Sequence, residues 1–151
     1  MSRRFLVAAA QMTSTADVER NLGIAESLVA QAAGRGVALV ALPENFALMR
    51  GDAPPGPNPH AQDVPNGEVM RFLREQATTH EIVLAGGTFP ERIAGDARVF
   101  NTSVVVDRGV ITSRGPGTAL DFALALVEEL EGRAARQAIE SRLEREKPAA
   151  A

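Results

Sequence analysis

The sequence predicts an α/β fold in which a sheet of about five strands is flanked by helices. A buried strand pattern at 5–12, a helical pattern and a second buried strand at 37–42 form a βαβ unit. Two further strand patterns, at 99–106 and 110–113, are joined by a short turn and predict a hairpin. The 151 residues are 45% hydrophobic and 23% charged, which is typical of one globular domain, so we expect residues 1–151 to share a core.

The first elements follow from local patterns. The run 5–12 is almost continuously apolar and leads into a helix over 16–35, in which apolar residues recur at helical spacing. Two glycines end that helix. The strand at 37–42 ends at Pro43, because proline cannot donate to a sheet ladder, and Glu44 follows it. The pattern therefore places a carboxylate at the carboxyl end of a buried strand.

The later elements follow a proline-rich surface loop at 51–66. The remaining patterns predict, in order, a helix at 67–80, a strand at 82–87, the hairpin strands, a helix at 118–130 that Thr118 caps, and a charged helix at 133–146. Gly132 separates the last two helices. The final helix has few apolar positions, so we expect it at the surface or partly frayed.

The residue inventory excludes several kinds of chemistry. The 151 residues contain no cysteine, which excludes disulfides, thiolate metal sites and a cysteine nucleophile within them. Only His60 and His80 offer imidazole ligands, so a zinc site would need carboxylates at most of its positions. We therefore expect neither a metal nor another cofactor.

Charge and hydropathy narrow the range of partners. Acidic and basic residues are interspersed and the net charge is -3, so no basic face is available to follow a phosphate backbone. The apolar run near the start is too short for a signal peptide, and no stretch reaches the roughly 18 apolar residues of a membrane span. We expect a cytoplasmic protein that binds neither nucleic acid nor a membrane.

Glu44 is the first candidate functional residue. Open α/β sheets build their sites beyond the carboxyl ends of their strands, and Glu44 follows such an end. Position alone also fits a solvated or helix-capping glutamate. The surrounding sequence favours a functional role.

Five motifs around Glu44 occur in a recognisable order and spacing. They are Val7-Ala-Ala-Ala-Gln-Met12, Asn21-Leu22, Leu42-Pro-Glu-Asn-Phe46, Gly86-Gly-Thr-Phe-Pro-Glu91 and Phe100-Asn-Thr-Ser-Val-Val-Val106. Together they resemble, over about residues 4–108, the amino-terminal part of the carbon–nitrogen hydrolase (nitrilase) superfamily, nearest the omega-amidase type.

The resemblance implies a role for Glu44 and also a deficiency. In that superfamily the glutamate matching Glu44 is the general base of a Glu-Lys-Cys triad, which attacks an amide or nitrile carbon with a thiolate. Here no cysteine is present and the only lysine is Lys147. The complete family domain is a four-layer αββα sandwich of roughly 250 to 300 residues. The resemblance therefore implies that this chain forms part of such a sandwich and retains only the glutamate of the triad.

The last part of the chain resembles a different family. Ile111-Thr-Ser-Arg-Gly-Pro-Gly-Thr118 and the helix after it are similar to the carboxyl-terminal strand, loop and helix of the ThiJ/PfpI superfamily, closest to its Parkinsonism-associated deglycase branch, over about 109–145. The resemblance implies that Arg114 and Pro116 lie beside a pocket. That family's glutamate, cysteine and histidine precede the loop, and nothing upstream here matches them.

The chain thus has the pattern of a chimera whose seam lies near 107–111, and it admits three interpretations. The first is a catalytically incomplete carbon–nitrogen hydrolase domain that retains only Glu44 and has a small amide as its ligand. The second is a binding or homodimerisation module of ThiJ/PfpI type. In that module, helix-start N–H groups and Arg114 would bind a small anion, although glycines and a proline before a helix are usually only a turn and cap.

The third interpretation is an enzyme with an unorthodox nucleophile. Ser113 or Thr118 would have to act near Glu44, and a hydroxyl needs both a base and an oxyanion site in register. No histidine lies nearby in the sequence, which disfavours this interpretation. Glu91 and Arg92 could add polar contacts at a position that the sequence does not fix.

Overall fold

The chain is described by a computed structural model that covers residues 5–51, 58–64, 66–107, 110–113 and 119–143. Its contacts divide into two compact units, Met1–Gly115 and Pro116–Ala151. The expectation of one cooperative core across residues 1–151 remains a prediction.

The first unit is built on a five-stranded sheet in the order β1-β2-β3-β4-β5. The strands are β1 Val7–Ala9, β2 Leu39–Ala41, β3 Val83–Arg92, β4 Val99–Val106 and β5 Val110–Ser113. The first three strands are parallel, and the last two pair antiparallel as a hairpin. The α/β class and the predicted strand count are confirmed.

Two helices accompany the sheet in this unit, α1 Val18–Ala33 and α2 Glu68–His80. Helix α1 begins two residues later than predicted because Asp17 is its N-cap, and the Asp17 carboxylate accepts the Arg20 N–H at 3.0 Å. Helix α2 matches its predicted span within one residue and ends in a left-handed Glu81. Periodicity therefore predicts the bounds of both helices to within two residues, and the Asp17 cap accounts for the later start of α1.

The core of this unit lies between one sheet face and the two helices. A row of paired residues crosses the sheet from Ala8 through Val40 and Leu84 to Val106, and the last three are buried. Apolar side chains of α1 and α2 belong to the same buried cluster, including Val29, Met70 and Leu73. Burial of this row fixes the register, since a one-residue slip would turn it to the other face.

Strand β3 is longer than predicted, whereas β1 and β2, predicted at 5–12 and 37–42, are shorter than predicted. The sequence pattern ends β3 at Gly87, whereas the strand continues to Arg92. A register shift between Ala85 and Thr88 marks a β-bulge, and beyond it β3 pairs with β4 as far as Arg92–Val99. The glycines therefore form a bulge within the strand and do not end it.

The second unit consists of α3 Ala119–Glu131 and α4 Arg133–Glu140, separated by Gly132 at φ 86°. Leu124 is buried, whereas no residue of α4 is. Arg136 donates to the Glu128 carboxylate at 2.7 Å and so ties the two helices. The predicted Thr118 cap and residues 144–146 of the predicted last helix lie outside the described residues.

Candidate functional site

Glu44 lies in the turn that follows β2, with an exposed side chain. The Asn101 amide of β4 donates a hydrogen bond from Nδ2 to Glu44 Oε1 at 3.2 Å. Asn101 is also exposed and pairs with Pro90 across the β3–β4 ladder. A rigid strand thus supplies the partner of a carboxylate that a loop carries.

The turn that carries Glu44 is fastened to the bulge of β3 by two hydrogen bonds. The Leu42 N–H donates to the Ala85 carbonyl at 2.8 Å, and the Asn45 N–H donates to Thr88 Oγ1 at 2.8 Å. These bonds lie on either side of Glu44, so both ends of its turn are held. Asn45 has a φ of 55°, a left-handed conformation that asparagine tolerates better than most residues.

A close backbone approach makes this arrangement possible. Gly87 has a φ of 51°, and a Cβ atom built on it would lie 1.9 Å from the Pro43 carbonyl oxygen. That separation is far inside van der Waals contact, so only glycine permits the Pro43 carbonyl to lie against the bulge. Gly87 therefore sets the position of the loop from which Glu44 projects.

Asn21 of α1 holds the same loop from its other side. Its side chain is fully buried and donates Nδ2 hydrogen bonds to the Thr15 carbonyl at 2.7 Å and to the Ala47 carbonyl at 3.0 Å. Its Oδ1 atom accepts from the Thr15 N–H at 3.0 Å. Asn21 thereby joins the segment after β1 to the segment after β2, where the backbone would otherwise bury unpaired groups.

Further bonds close the gap between these two segments. Ser14 Oγ donates to the Phe46 carbonyl at 3.1 Å, and the Met49 N–H donates to the Thr15 carbonyl at 2.9 Å. The Phe46 ring is fully buried and lies 6.4 Å, centroid to centroid, from the Phe72 ring of α2. The Glu44 turn is therefore anchored in the core immediately after its exposed residue.

Glu91 and Arg92, which the sequence left unplaced, lie at the end of β3. Glu91 is buried, and its Oε2 atom accepts the Thr102 hydroxyl at 2.6 Å. Arg92 donates from Nη2 to the Ala61 carbonyl at 2.9 Å and lies 3.3 Å from Asp63. Both residues thus fasten β3 to its neighbouring segments.

A pocket of about 330 Å³ lies beside the Glu44–Asn101 pair. Its polar lining includes the amides of Asn45, Asn58 and Asn101 together with Arg50, and its apolar lining includes Met49, Pro90, Val99 and Phe100. A few polar groups in a largely apolar recess are typical of small-molecule sites. The recess gives a ligand access to the residue that holds Glu44.

A lowered pKa occurs in the exposed turn between β3 and β4. The Arg98 guanidinium donates to the Asp96 carboxylate from Nε at 2.9 Å and from Nη2 at 2.5 Å. These side-chain bonds, aided by the Arg98 main-chain N–H, hold the pKa of Asp96 at about 2. The Arg98 contact therefore keeps Asp96 ionised to a lower pH than an unpaired aspartate.

The other sequence-predicted residues are not brought to Glu44 by any described contact. Arg114, Pro116 and Thr118 lie outside the described residues. Ser113 ends β5 and pairs with Ser103 of β4. Within the described ranges, no group of three or more histidine, aspartate or glutamate side chains is arranged to hold a metal ion, and no helix is both long and apolar enough to cross a membrane.

Comparison with known proteins identifies the family. The sequence profile of the carbon-nitrogen hydrolases matches residues 6–116. The chain therefore belongs to the carbon-nitrogen hydrolase family, as the five motifs indicate. The matched region contains Glu44, Gly87 and Asn101.

Curated relatives and solved structures agree with this assignment. The chain is 33% identical over 103 residues to the deaminated glutathione amidase of Synechocystis sp., covering 68% of this chain and 37% of the relative. It is 35% identical over 105 residues to the omega-amidase of Danio rerio, covering 68% and 35%. A CN-hydrolase superfamily structure from Xanthomonas campestris matches with a TM-score of 0.54 at 23% identity, over 68% of this chain and 36% of that one. The fold is therefore nitrilase-like, and the chain spans little more than a third of these relatives.

A second set of relatives matches a shorter part of the chain. The dj-1beta protein of Drosophila melanogaster is 48% identical over 44 residues, which are 29% of this chain and 24% of that protein. Such a partial match to a second family is consistent with the chimera that the sequence pattern indicates.

Three residues that hold the Glu44 turn, Asn21, Gly87 and Asn101, lie within the sequence motifs, but the motifs alone assign them no role. A polar residue at a core position of α1 was a usable signal for Asn21, because buried amides need partners. Consecutive glycines inside a strand pattern were a usable signal for a bulge.

We expect Gly87→Ala to destabilise the protein by about 2 kcal/mol or more, because the substitution adds a steric clash to an unfavourable φ. Urea unfolding followed by far-ultraviolet circular dichroism measures the change. Gly36→Ala is the matched control, since Gly36 has a φ of +74° with nothing within 4 Å of a built Cβ atom. Equal losses for both variants would contradict the role given to the Pro43 contact.

Proposed function

We propose that this chain is a non-hydrolysing carbon-nitrogen hydrolase domain that binds a small amide beside Glu44. One observation carries the proposal. Glu44 is held in place by Asn101 and by a doubly anchored turn, yet the 151 residues contain no cysteine and no lysine before Lys147. The base of a thiol mechanism is thus present without the nucleophile that it would deprotonate.

The chemistry of the remaining residues supports binding over turnover. A carboxylate near an amide accepts an N–H hydrogen bond, and the Asn101 carbonyl and amide groups add both an acceptor and donors at the same edge. Hydrolysis needs in addition an activated nucleophile and a donor that stabilises the developing oxyanion. Glu44 alone supplies neither the activated nucleophile nor a positively charged donor for the oxyanion.

The names of the relatives support the ligand class. One relative acts on deaminated glutathione and another is an omega-amidase. The 330 Å³ pocket beside Asn101 has room for a small amide, and Arg50 lines this pocket. A short carboxylic acid that carries a terminal amide, such as glutaramate, is therefore a suitable probe.

We expect no hydrolysis of glutaramate by the purified chain. Ammonia release should equal that of the Glu44→Gln variant and of buffer, because no thiolate can form. A rate that the parent shows and Glu44→Gln lacks would contradict the proposal and favour the hydroxyl-nucleophile interpretation, with Ser113→Ala as the next variant.

We expect glutaramate to bind in the millimolar range, measured by chemical-shift changes of backbone amides. Asn101→Ala should weaken binding about threefold to tenfold, as expected when a hydrogen-bond partner worth about 1 kcal/mol is lost. Arg71→Gln is the control, since Arg71 is an exposed cation of α2 that does not line the pocket. If the Asn101→Ala variant bound glutaramate as tightly as the parent, the ligand would lie elsewhere.

A second candidate function is a small-anion-binding or homodimerisation module of ThiJ/PfpI type. The partial match to dj-1beta favours it, and Arg114 and Pro116 are the residues that it would use. Under this alternative, phosphate or sulfate at millimolar concentration raises the melting temperature, and Arg114→Ala removes that rise. A melting temperature that phosphate leaves unchanged would count against the anion site.

A further inference from the structure

We propose that the groove between β1 and α1 takes an extended peptide with apolar side chains and a carboxylate, and that this peptide pairs with the free edge of β1. The groove has a volume of about 290 Å³. It is lined along the strand by 6–11 and along the helix side by Leu28, Gln31, Ala32 and Arg35. Strand and helix therefore form its two walls.

The main chain of β1 offers unpaired groups on the groove side of the sheet. On its other side β1 pairs with β2, where the Ala38 N–H donates to the Leu6 carbonyl and the Ala10 N–H donates to the Ala41 carbonyl, each at 2.8 Å. Because alternate residues of a strand point their main-chain groups to opposite sides, those of Val7 and Ala9 point away from β2. Among the described strands, β2 is the only neighbour of β1.

The side chains at this edge are unusually exposed for their size. Phe5, Leu6 and Val7 are 40%, 57% and 55% exposed. Three consecutive large apolar residues next to an open strand edge favour pairing with another extended segment. The same residues would gain burial when such a segment is added.

The charge of the groove indicates an acidic occupant. Arg35 is exposed and is the one charged residue among the described residues that line the groove. In the part of the chain that the structure describes, its side chain makes no hydrogen bond or ion pair. A carboxylate on the incoming peptide would complete a pair with this guanidinium.

The same features disfavour the other occupants. A small carboxylic acid would satisfy Arg35 but would leave the Val7 and Ala9 main-chain groups unused. A second copy that paired through its own β1 edge would bring another Arg35 and, among the described residues that line the groove, no carboxylate. An acidic, apolar peptide uses the strand edge, the apolar walls and the cation together.

The test is fluorescence anisotropy of the full chain with a labelled octapeptide, Thr-Val-Thr-Val-Thr-Val-Glu-Glu. We expect saturable binding that Arg35→Gln weakens about threefold, as for an exposed ion pair. Arg71→Gln, which removes an exposed cation from α2, should leave the affinity unchanged. The same peptide with both glutamates replaced by glutamine should bind parent and Arg35→Gln equally.

A backbone control separates strand pairing from simple apolar contact. N-methylation of alternate peptide bonds on the pairing side removes the donors that β1 would engage, so binding should be lost. Absence of binding at millimolar peptide, or equal binding of the methylated peptide, would overturn the proposal. The proposal would also be overturned if light scattering showed a concentration-dependent dimer and this dimer did not bind the peptide. The edge of β1 would then be covered by a second copy.

Discussion

The close contact between Gly87 and the Pro43 carbonyl is the constraint on which the site depends. A side chain at position 87 would overlap that carbonyl, so the bulge in β3 and the turn after β2 fit together only through glycine. The bonds from Leu42 and Asn45 then follow from this approach, since both reach groups on the bulged strand. The turn that carries the exposed carboxylate is therefore positioned by contacts of its main chain with the bulged strand.

A second buried interaction completes the frame. Asn21 satisfies main-chain groups of the segments that follow β1 and β2, and its burial makes those bonds energetically significant because an unpaired group there would have no water. The loops at the carboxyl ends of the parallel strands are thus fixed to each other and to α1. A carboxylate on such a frame is well placed for recognition, because the loops that carry it are already ordered before a ligand binds.

The family assignment and the residue inventory suggest different chemistry for this chain. Residues 6–116 belong to the carbon-nitrogen hydrolases, and the sequence resemblance implies that Glu44 matches the base of that family. The 151 residues nevertheless include no thiol, and they span little more than a third of the amidase relatives. The frame that holds the Glu44 carboxylate rests on glycine, amide and main-chain contacts, none of which involves a thiol.

The sequence by itself determined the α/β class, the order of the elements, the family resemblance and the absence of thiol chemistry, because periodicity, caps and residue inventory are local properties. It placed the β4 strand and the helix α2 within one residue. Only the tertiary structure decided that Asn101 holds Glu44, that Gly87 accommodates Pro43 and that β3 continues through its glycines to Arg92. The first two features join segments separated by more than 40 residues along the chain, and chain spacing alone does not encode a contact between elements that meet only after the sheet has formed.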